Sequence, residues 1–272
     1  MCGIAGIIKP VGAAVSASEI QAMSQRMYHR GPDDEGYLGW RRGSNAAPVL
    51  SRDAGQALGG AEVAFIHRRL TIIDTSEGGW QPMGDASGRY FISFNGEIYN
   101  YVELRVELQA LGRTFVSSSD TEVLLQAISQ WGIAETLPRL TGMFAFAMLD
   151  VKEETITLAR DPFGIKPLVY TNTDQGLAFA SEIATLLTLP SVNRTVKPQA
   201  LFDYLRFGLT DRRETTLFDE IMHLPAASNA EIDLNKPIEV ESKPYWLPKV
   251  NEPIDIGFNE AVTQLRGIFM NS

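Results

Sequence analysis

A chain of 272 residues with 44% hydrophobic and 21% charged residues has an ordinary globular composition, with room for one large domain or one domain and a fragment. Its net charge of −9 argues against a dedicated nucleic-acid binder, which carries a basic face. No apolar run approaches the roughly 18 residues of a membrane span, no basic stretch leads into a signal core, and the lone cysteine, Cys2, leaves nothing to form an internal disulfide, so the expectation is a cytoplasmic protein without nucleic-acid or membrane partners.

In chain order, Met1-Cys2-Gly3-Ile4-Ala5-Gly6-Ile7 leads into an apolar strand over 3–8. Ser16-Ala17-Ser18-Glu19 reads as a capping box. It opens a helix with Ile20, Met23 and Met27 on one face. Glycine and proline stop that helix at His29-Arg30-Gly31-Pro32-Asp33-Asp34. Short strands at about 36–41 and 62–67 flank a Gly/Ser/Ala-rich segment, 43–60, that reads as a hairpin loop or insertion. Residues 67–74 are extended, 76–89 turn-rich, and the strand Tyr90–Phe94 runs into a turn signal at Asn95-Gly96-Glu97. A helix near 99–111 places Tyr101, Leu104, Leu108 and Leu111 at helical spacing and closes on Gly112. Ser119-Asp120-Thr121-Glu122 is a second capping box, and Val123, Leu124, Ala127, Ile128 and Trp131 give its helix an apolar face.

The period then changes. Segments 143–149, 155–160, 168–173 and 176–180 read as an antiparallel sheet, followed by a short helix over 182–187. Strands, two long helices and strands again predict α+β layers rather than βαβ winding. After Pro190 come a helix at 198–207, irregular chain with short strands over 217–246, and a proline-rich linker over 244–257. A last helix starts near Phe258, and its Val262, Leu265 and Phe269 face has nothing after it to pack on. The expected division is a domain over 2–190, then a connector and the start of an incomplete domain over 191–272.

Removal of Met1 would make Cys2 both a thiol and a free amine. An α-amine titrates near 7.7–8.0 and a thiol near 8.5, so the amine can serve as base. A lone cysteine reads equally as a small buried hydrophobe. Thiol attack on an amide needs oxyanion donors, and the Asn95 side chain and Gly96 N–H could supply them; the same pair reads as a plain turn. Arg69 could grip a carboxylate bidentately or form a surface ion pair. Asp120 could receive an ammonium, or simply complement a helix dipole. Arg30 and Asp33 are candidates for a site loop or a satisfied loop pair. His29, His67 and His223 lack metal-site spacing.

These blocks occur in a set order: Met-Cys-Gly-Ile-Ala-Gly at the start, His29-Arg-Gly-Pro-Asp33, His67-Arg-Arg-Leu-Thr-Ile-Ile-Asp74, Phe94-Asn-Gly-Glu-Ile-Tyr-Asn100, Ser119-Asp-Thr-Glu122, Gly142-Met-Phe-Ala-Phe146, Ala159-Arg-Asp-Pro-Phe-Gly-Ile-Lys-Pro-Leu168 and Ala180-Ser-Glu182. Together they resemble the glutaminase domain of class II glutamine amidotransferases, most nearly that of the glutamine-hydrolysing asparagine synthetase family. The resemblance runs over about 2–190 and continues more weakly through Leu217–Pro225 and Tyr245-Trp246.

The resemblance implies an N-terminal-nucleophile fold, a four-layer αββα sandwich, with glutamine as substrate. It implies Cys2 as nucleophile, Asn95 and Gly96 as oxyanion hole, and Arg69, Glu97 and Asp120 as glutamine ligands. Leu70 and Ile72 would add main-chain contacts, with Arg30 in the loop near the nucleophile. No cofactor is implied for this half; ATP and Mg²⁺ belong to a synthetase domain. That domain's Ser-Gly-Gly-x-Asp-Ser loop does not occur in the 272 residues, and Leu224–Asp233 lacks the family's turn glycine. The expectations therefore include a synthetase subunit or a second copy as partner, a regulatory or dimerisation module, and a glutaminase serving another acceptor.

Overall fold

A strand covered on both faces must be apolar at every position, and Gly3–Ile8 is buried throughout. The computed structural model describes residues 1–44, 46–210, 214–248 and 255–271. In order they form β1 (Gly3–Ile8), α1 (Ala17–Arg26), β2 (Asp34–Trp40), β3 (Val49–Ser51), α2 (Ala54–Leu58), β4 (Val63–Arg69), β5 (Met83–Gly84), β6 (Tyr90–Ile98), α3 (Tyr101–Ala110) and α4 (Asp120–Thr136). Then follow β7 (Gly142–Asp150), β8 (Thr155–Arg160), β9 (Val169–Thr173), β10 (Gly176–Ala180), α5 (Ile183–Leu186), α6 (Pro198–Phe207), β11 (Met222–His223), β12 (Ser228–Asp233), β13 (Ser242–Pro244) and α7 (Phe258–Asn271). No helix among the described residues is long and apolar enough to cross a membrane.

Two antiparallel sheets result, ordered β11-β9-β10-β1-β4-β2-β3 and β13-β12-β8-β7-β6-β5. Alternation sorts the side chains. Ile4, Ile8, Leu38, Val63 and Phe65 meet Phe91, Ala145, Ala147, Leu149, Ile156 and Leu158 in the space between the sheets. Ala5, Ile7, Ala64 and Ile66 face outward onto Ile20 and Met23 of α1, onto Met27 just past its end, and onto α2 and α5. Ile92, Phe94, Phe144, Phe146 and Met148 face outward onto α3 and α4. This is the expected αββα sandwich. The first capping box forms as read: Ser16 accepts from the main chain of the first turn while Glu19 reaches back to the Ser16 N–H.

Several local readings differ. Segment 43–60 carries β3 and α2, whose Asp53 cap accepts from Gln56 N at 2.9 Å; a five-residue helix is too short to show a period. Asn95-Gly96-Glu97 is no turn. It continues β6, paired with Ala145, Phe144 and Met143 of β7, and pairing along the whole strand outweighs the local preference. Ser119 does cap α4, accepting from Thr121 N at 3.0 Å. The box does not close, because Glu122 accepts instead from Val116 N, Ser117 N and Ser117 Oγ at 2.9, 2.8 and 2.6 Å. Leu111 is exposed, beyond the end of α3. Gly132, with φ of +77°, breaks α4 just after Trp131.

The four strands after residue 142 do not make one sheet: β7 and β8 belong to the six-stranded sheet, β9 and β10 to the seven-stranded one. The segment past 190 feeds both. β11 pairs with β9, and β12 pairs with β8 along Asn229–Asp233. Leu224, Ala230, Ile232 and Leu234 join the inter-sheet core. The proline-rich segment 244–257 falls partly outside the described residues, while α7 leaves Val262, Leu265 and Phe269 exposed.

Phe65 and Phe179 meet edge-to-face between the sheets, with ring centroids 5.5 Å apart and both side chains fully buried. Phe65→Ala is expected to cost about 3–5 kcal/mol, read as a lower midpoint in urea denaturation with an unchanged slope. A loss under about 1 kcal/mol would mean that the sheets do not close on this pair.

Candidate active site

Register places the thiol. β1 pairs with β4 from Gly3↔Arg68 onward, so Cys2 sits beside the chain leaving β4. There Leu70 N–H points at Sγ from 3.4 Å, and the thiol points back to Leu70 O at 3.5 Å. Across the sandwich, β6 brings Asn95, Gly96 and Glu97 to the same end. Two buried polar links fix that separation: Ser93 Oγ donates to Ile66 O at 3.0 Å, and His67 Nε2–H donates to Phe94 O at 3.0 Å. Burial pushes the His67 imidazole down to about 4, so it is neutral near pH 7. Gln81 takes the Phe94 N–H at 2.7 Å and donates to Thr121 Oγ1 at 3.2 Å, tying β6 to α4.

A cavity of about 260 Å³ opens between these strand ends, lined by Cys2, Arg69, Leu70, Asn95, Gly96, Glu97, Asp120 and Lys166 among others, with Ile72 at its edge. A larger, more apolar cavity of about 640 Å³ lies against α5, α6 and β11. None of the sequence-predicted site residues reaches that one, so volume does not mark the chemistry here.

Arg69 and Asp120 in the smaller cavity make no ion pair among the described residues. Arg69 is buried, and its guanidinium donates to two neutral carbonyls, Ser76 O at 3.1 Å and Asp74 O. It makes no ion pair among the described residues, so the surface-pair reading does not hold. Gly79 leaves it room, since a Cβ there would run into the guanidinium. The supporting loop is pinned by Asp74. Hydrogen bonds from Ser76, and then from Ser118, hold its carboxylate down at about 2 against the opposing effect of burial.

Asp120 is the complement. Burial pushes its carboxyl up to about 6, although its Oδ2 accepts from Ile98 N at 3.0 Å, and half-buried Glu97 adds to the rise. Asn95 Nδ2 is buried without a hydrogen-bond partner among the described residues. Gly96 is required by the close approach of β7: a Cβ would lie 2.8 Å from Phe144 Cα and strike Met143 O. The Cys2 thiol is pushed up by burial, opposed by the Leu70 amide, the amino terminus, Arg69 and Lys166.

Arg30 stands behind Cys2 rather than in the cavity. Its Nε donates to Cys2 O at 2.9 Å and its Nη1 to Glu182 at 2.9 Å. Asp33 does not pair with it; the Asp33 carboxylate accepts from Thr71 N at 2.8 Å. Sequence reasoning missed Lys166, His67, Gln81 and Asp74. Lys166 lies within one of the ordered motif blocks, which was the only signal for it. No group of three or more His, Cys, Asp or Glu among the described residues is placed to hold a metal ion.

The chain matches a family described as "Glutamine amidotransferase domain" over residues 1–246. It is 39% identical over 218 residues to asparagine synthetase [glutamine-hydrolyzing] 1 of Bacillus subtilis, covering 79% of this chain and 31% of that protein. It is 42% identical over 200 residues to a putative asparagine synthetase [glutamine-hydrolyzing] of Mycobacterium bovis, covering 70% of this chain and 28% of that protein. The chain thus spans about a third of the length of these curated relatives. Among solved structures, it superposes on glutamine phosphoribosylpyrophosphate amidotransferase from B. subtilis with a TM-score of 0.64 at 19% identity, covering 91% of this chain and 50% of that one; at that identity the likeness is one of fold.

Gly96→Ala is expected to force β6 from β7 and cost about 1–3 kcal/mol, measured by urea denaturation. A variant as stable as the parent would mean the strands are not packed that closely at this point.

Proposed function

The chain belongs to the glutamine amidotransferase domain family, and from that premise we infer that its cavity hydrolyses glutamine to glutamate and ammonia through a thioester on Cys2. One observation carries the reading. Among the described residues, Asn95 Nδ2 is a buried amide donor without an acceptor, in the cavity that also holds the thiol and a guanidinium that makes no ion pair with them. An unsatisfied buried donor costs about 1–3 kcal/mol, which is recovered when a ligand oxygen arrives.

Glutamine is a zwitterion with a neutral side-chain amide. Its α-carboxylate goes to Arg69, and its α-ammonium to Glu97 and Asp120, with Leu70 and Ile72 offering main-chain contacts. Removal of Met1 frees the Cys2 amine, which takes the thiol proton as sulfur attacks the side-chain carbonyl carbon. The C–S bond forms, and the carbonyl oxygen becomes an oxyanion held by Asn95 Nδ2 and the Gly96 N–H. The ammonium of Cys2 returns its proton to nitrogen as the C–N bond breaks, and ammonia leaves. Water then attacks the γ-glutamyl thioester, giving glutamate and the free thiol. The two relatives are both named as asparagine synthetases; the ammonia is accordingly proposed to serve ATP-dependent amidation of aspartate by a synthetase activity.

Cys2→Ala is expected to abolish glutamate release, and diazo-oxo-norleucine to add once to mature Cys2 in the mass spectrum; hydrolysis at the parent rate by Cys2→Ala ends the mechanism. Asn95→Ala should lower kcat about 10²–10³-fold, and an unchanged kcat removes it from the oxyanion hole. Asp120, raised to about 6, binds an ammonium only when ionised. KM for glutamine should therefore rise as pH falls below about 6, up to about tenfold per unit, while Asp120→Asn gives a high KM with no such inflection. A flat KM in the parent protein between pH 5 and 7 would exclude that role.

A further inference from the structure

Lys166 is 4% exposed, yet its ammonium makes no hydrogen bond or ion pair among the described residues while its side chain lines the cavity beside Cys2. A long charged side chain is seldom buried without a partner. The loop between β8 and β9 that carries it is held on every side. Asp161 is fully buried, and its carboxylate accepts four main-chain N–H groups: Phe144 at 3.2 Å, Phe163 and Ile165 at 3.0 Å, and Lys166 at 2.9 Å. The Arg160 guanidinium donates to Lys166 O at 2.8 Å, Gly164 O at 2.7 Å and Leu224 O at 2.8 Å. Gly164 turns the loop at φ +65°, where a Cβ would sit 3.1 Å from that guanidinium. A buried acid and a half-buried base thus hold main-chain groups of the loop, and the lysine is presented to the cavity without an ion pair among the described residues.

We propose that Lys166 is the counter-ion of the Cys2 sulfur, a positioning residue that favours the thiolate and so sets the pH range over which the nucleophile is active. Its purpose, though not its measurement, rests on the thiol chemistry proposed above. The amino terminus and Arg69 oppose the rise of the thiol ahead of Lys166, but each has another task, the amine of mature Cys2 being the base in the proposed chemistry. Arg69 is committed to the carbonyls of the 74–76 turn and, in the proposed chemistry, to the substrate carboxylate. Arg30 donates to the Cys2 carbonyl and to Glu182, behind the sulfur. Burial lowers the Lys166 ammonium, whereas Glu97, Cys2 and Asp161 favour its charged form. Neutral His67 takes no part above about pH 4, and Asp120 titrates well below the thiol.

Cys2 is the only cysteine in the chain, so alkylation by iodoacetamide followed by mass spectrometry reports its thiolate alone. The rate is measured against pH without glutamine. In Lys166→Met, and in Lys166→Gln should the first fold poorly, the midpoint is expected to rise by about one pH unit, so that alkylation at pH 7 slows several-fold; Lys166→Arg keeps the parent profile. In the glutaminase assay kcat falls at neutral pH and recovers at higher pH, with KM little changed. Coincident alkylation profiles for the folded parent and either neutral variant overturn the proposal. A shifted profile in a protein that does not hydrolyse glutamine would leave the counter-ion standing and remove the glutaminase reading. Hydrolysis with an unshifted profile does the reverse.

Discussion

The buried bond from His67 Nε2 to Phe94 O, with Ser93 Oγ on Ile66 O beside it, is where one sheet is tied to the other. Over most of their facing area the sheets meet through hydrocarbon, which is attractive but not directional. At this end the contact has a defined geometry, and the two strands it joins lead into the candidate site: Arg69 and Leu70 shortly after His67, Asn95 and Gly96 directly after Phe94. The width of the cavity follows from the bond. The neutrality of His67 comes from its burial, helped by nearby Arg69, and holds against the Phe94 bond, which favours the charged form.

The cavity's electrostatics follow from one repeated device. Charged side chains around it are tied by neutral partners: Arg69 by carbonyls, Asp161 by main-chain amides, Asp120 by the Ile98 N–H. Hydrogen bonds to neutral groups fix direction without cancelling charge. Such an arrangement is unfavourable in an empty pocket and favourable once a zwitterion fills it. Burial, against the pull of the Ile98 N–H, is what holds Asp120 above an ordinary carboxyl.

Much of this was legible in the sequence. The apolar runs at β1 and β7, the Ser16 box and the α4 stripe all reflect local rules that the sandwich obeys. Readings failed where long-range pairing decided. Asn95-Gly96 is a turn by local preference and a strand by virtue of β7. Glu122 was free to close a box on Ser119 and was drawn to the Val116–Ser117 amides instead. The division of the late strands between two sheets leaves no periodic trace, because a strand buried on both faces looks alike in either. In the site, charge and residue type picked out Arg69 and Asp120. Lys166 stayed invisible because a lysine in a Gly/Pro turn carries no sign of burial.

The segment past residue 190 reads in sequence as a tether. In the fold it acts as a brace. Leu224 O takes the Arg160 guanidinium at 2.8 Å, Ala227 N donates to Asp161 O at 2.8 Å, and Tyr245 Oη donates to Arg160 O at 2.8 Å. Three contacts from sequence positions 64–85 residues away thus converge on Arg160 and Asp161, the two residues that shape the 161–166 loop. A fragment trimmed at residue 190 would keep every residue named for catalysis and lose the scaffolding under one wall of the cavity. The smallest piece that contains the cavity residues named here is therefore shorter than the smallest piece that holds them in place.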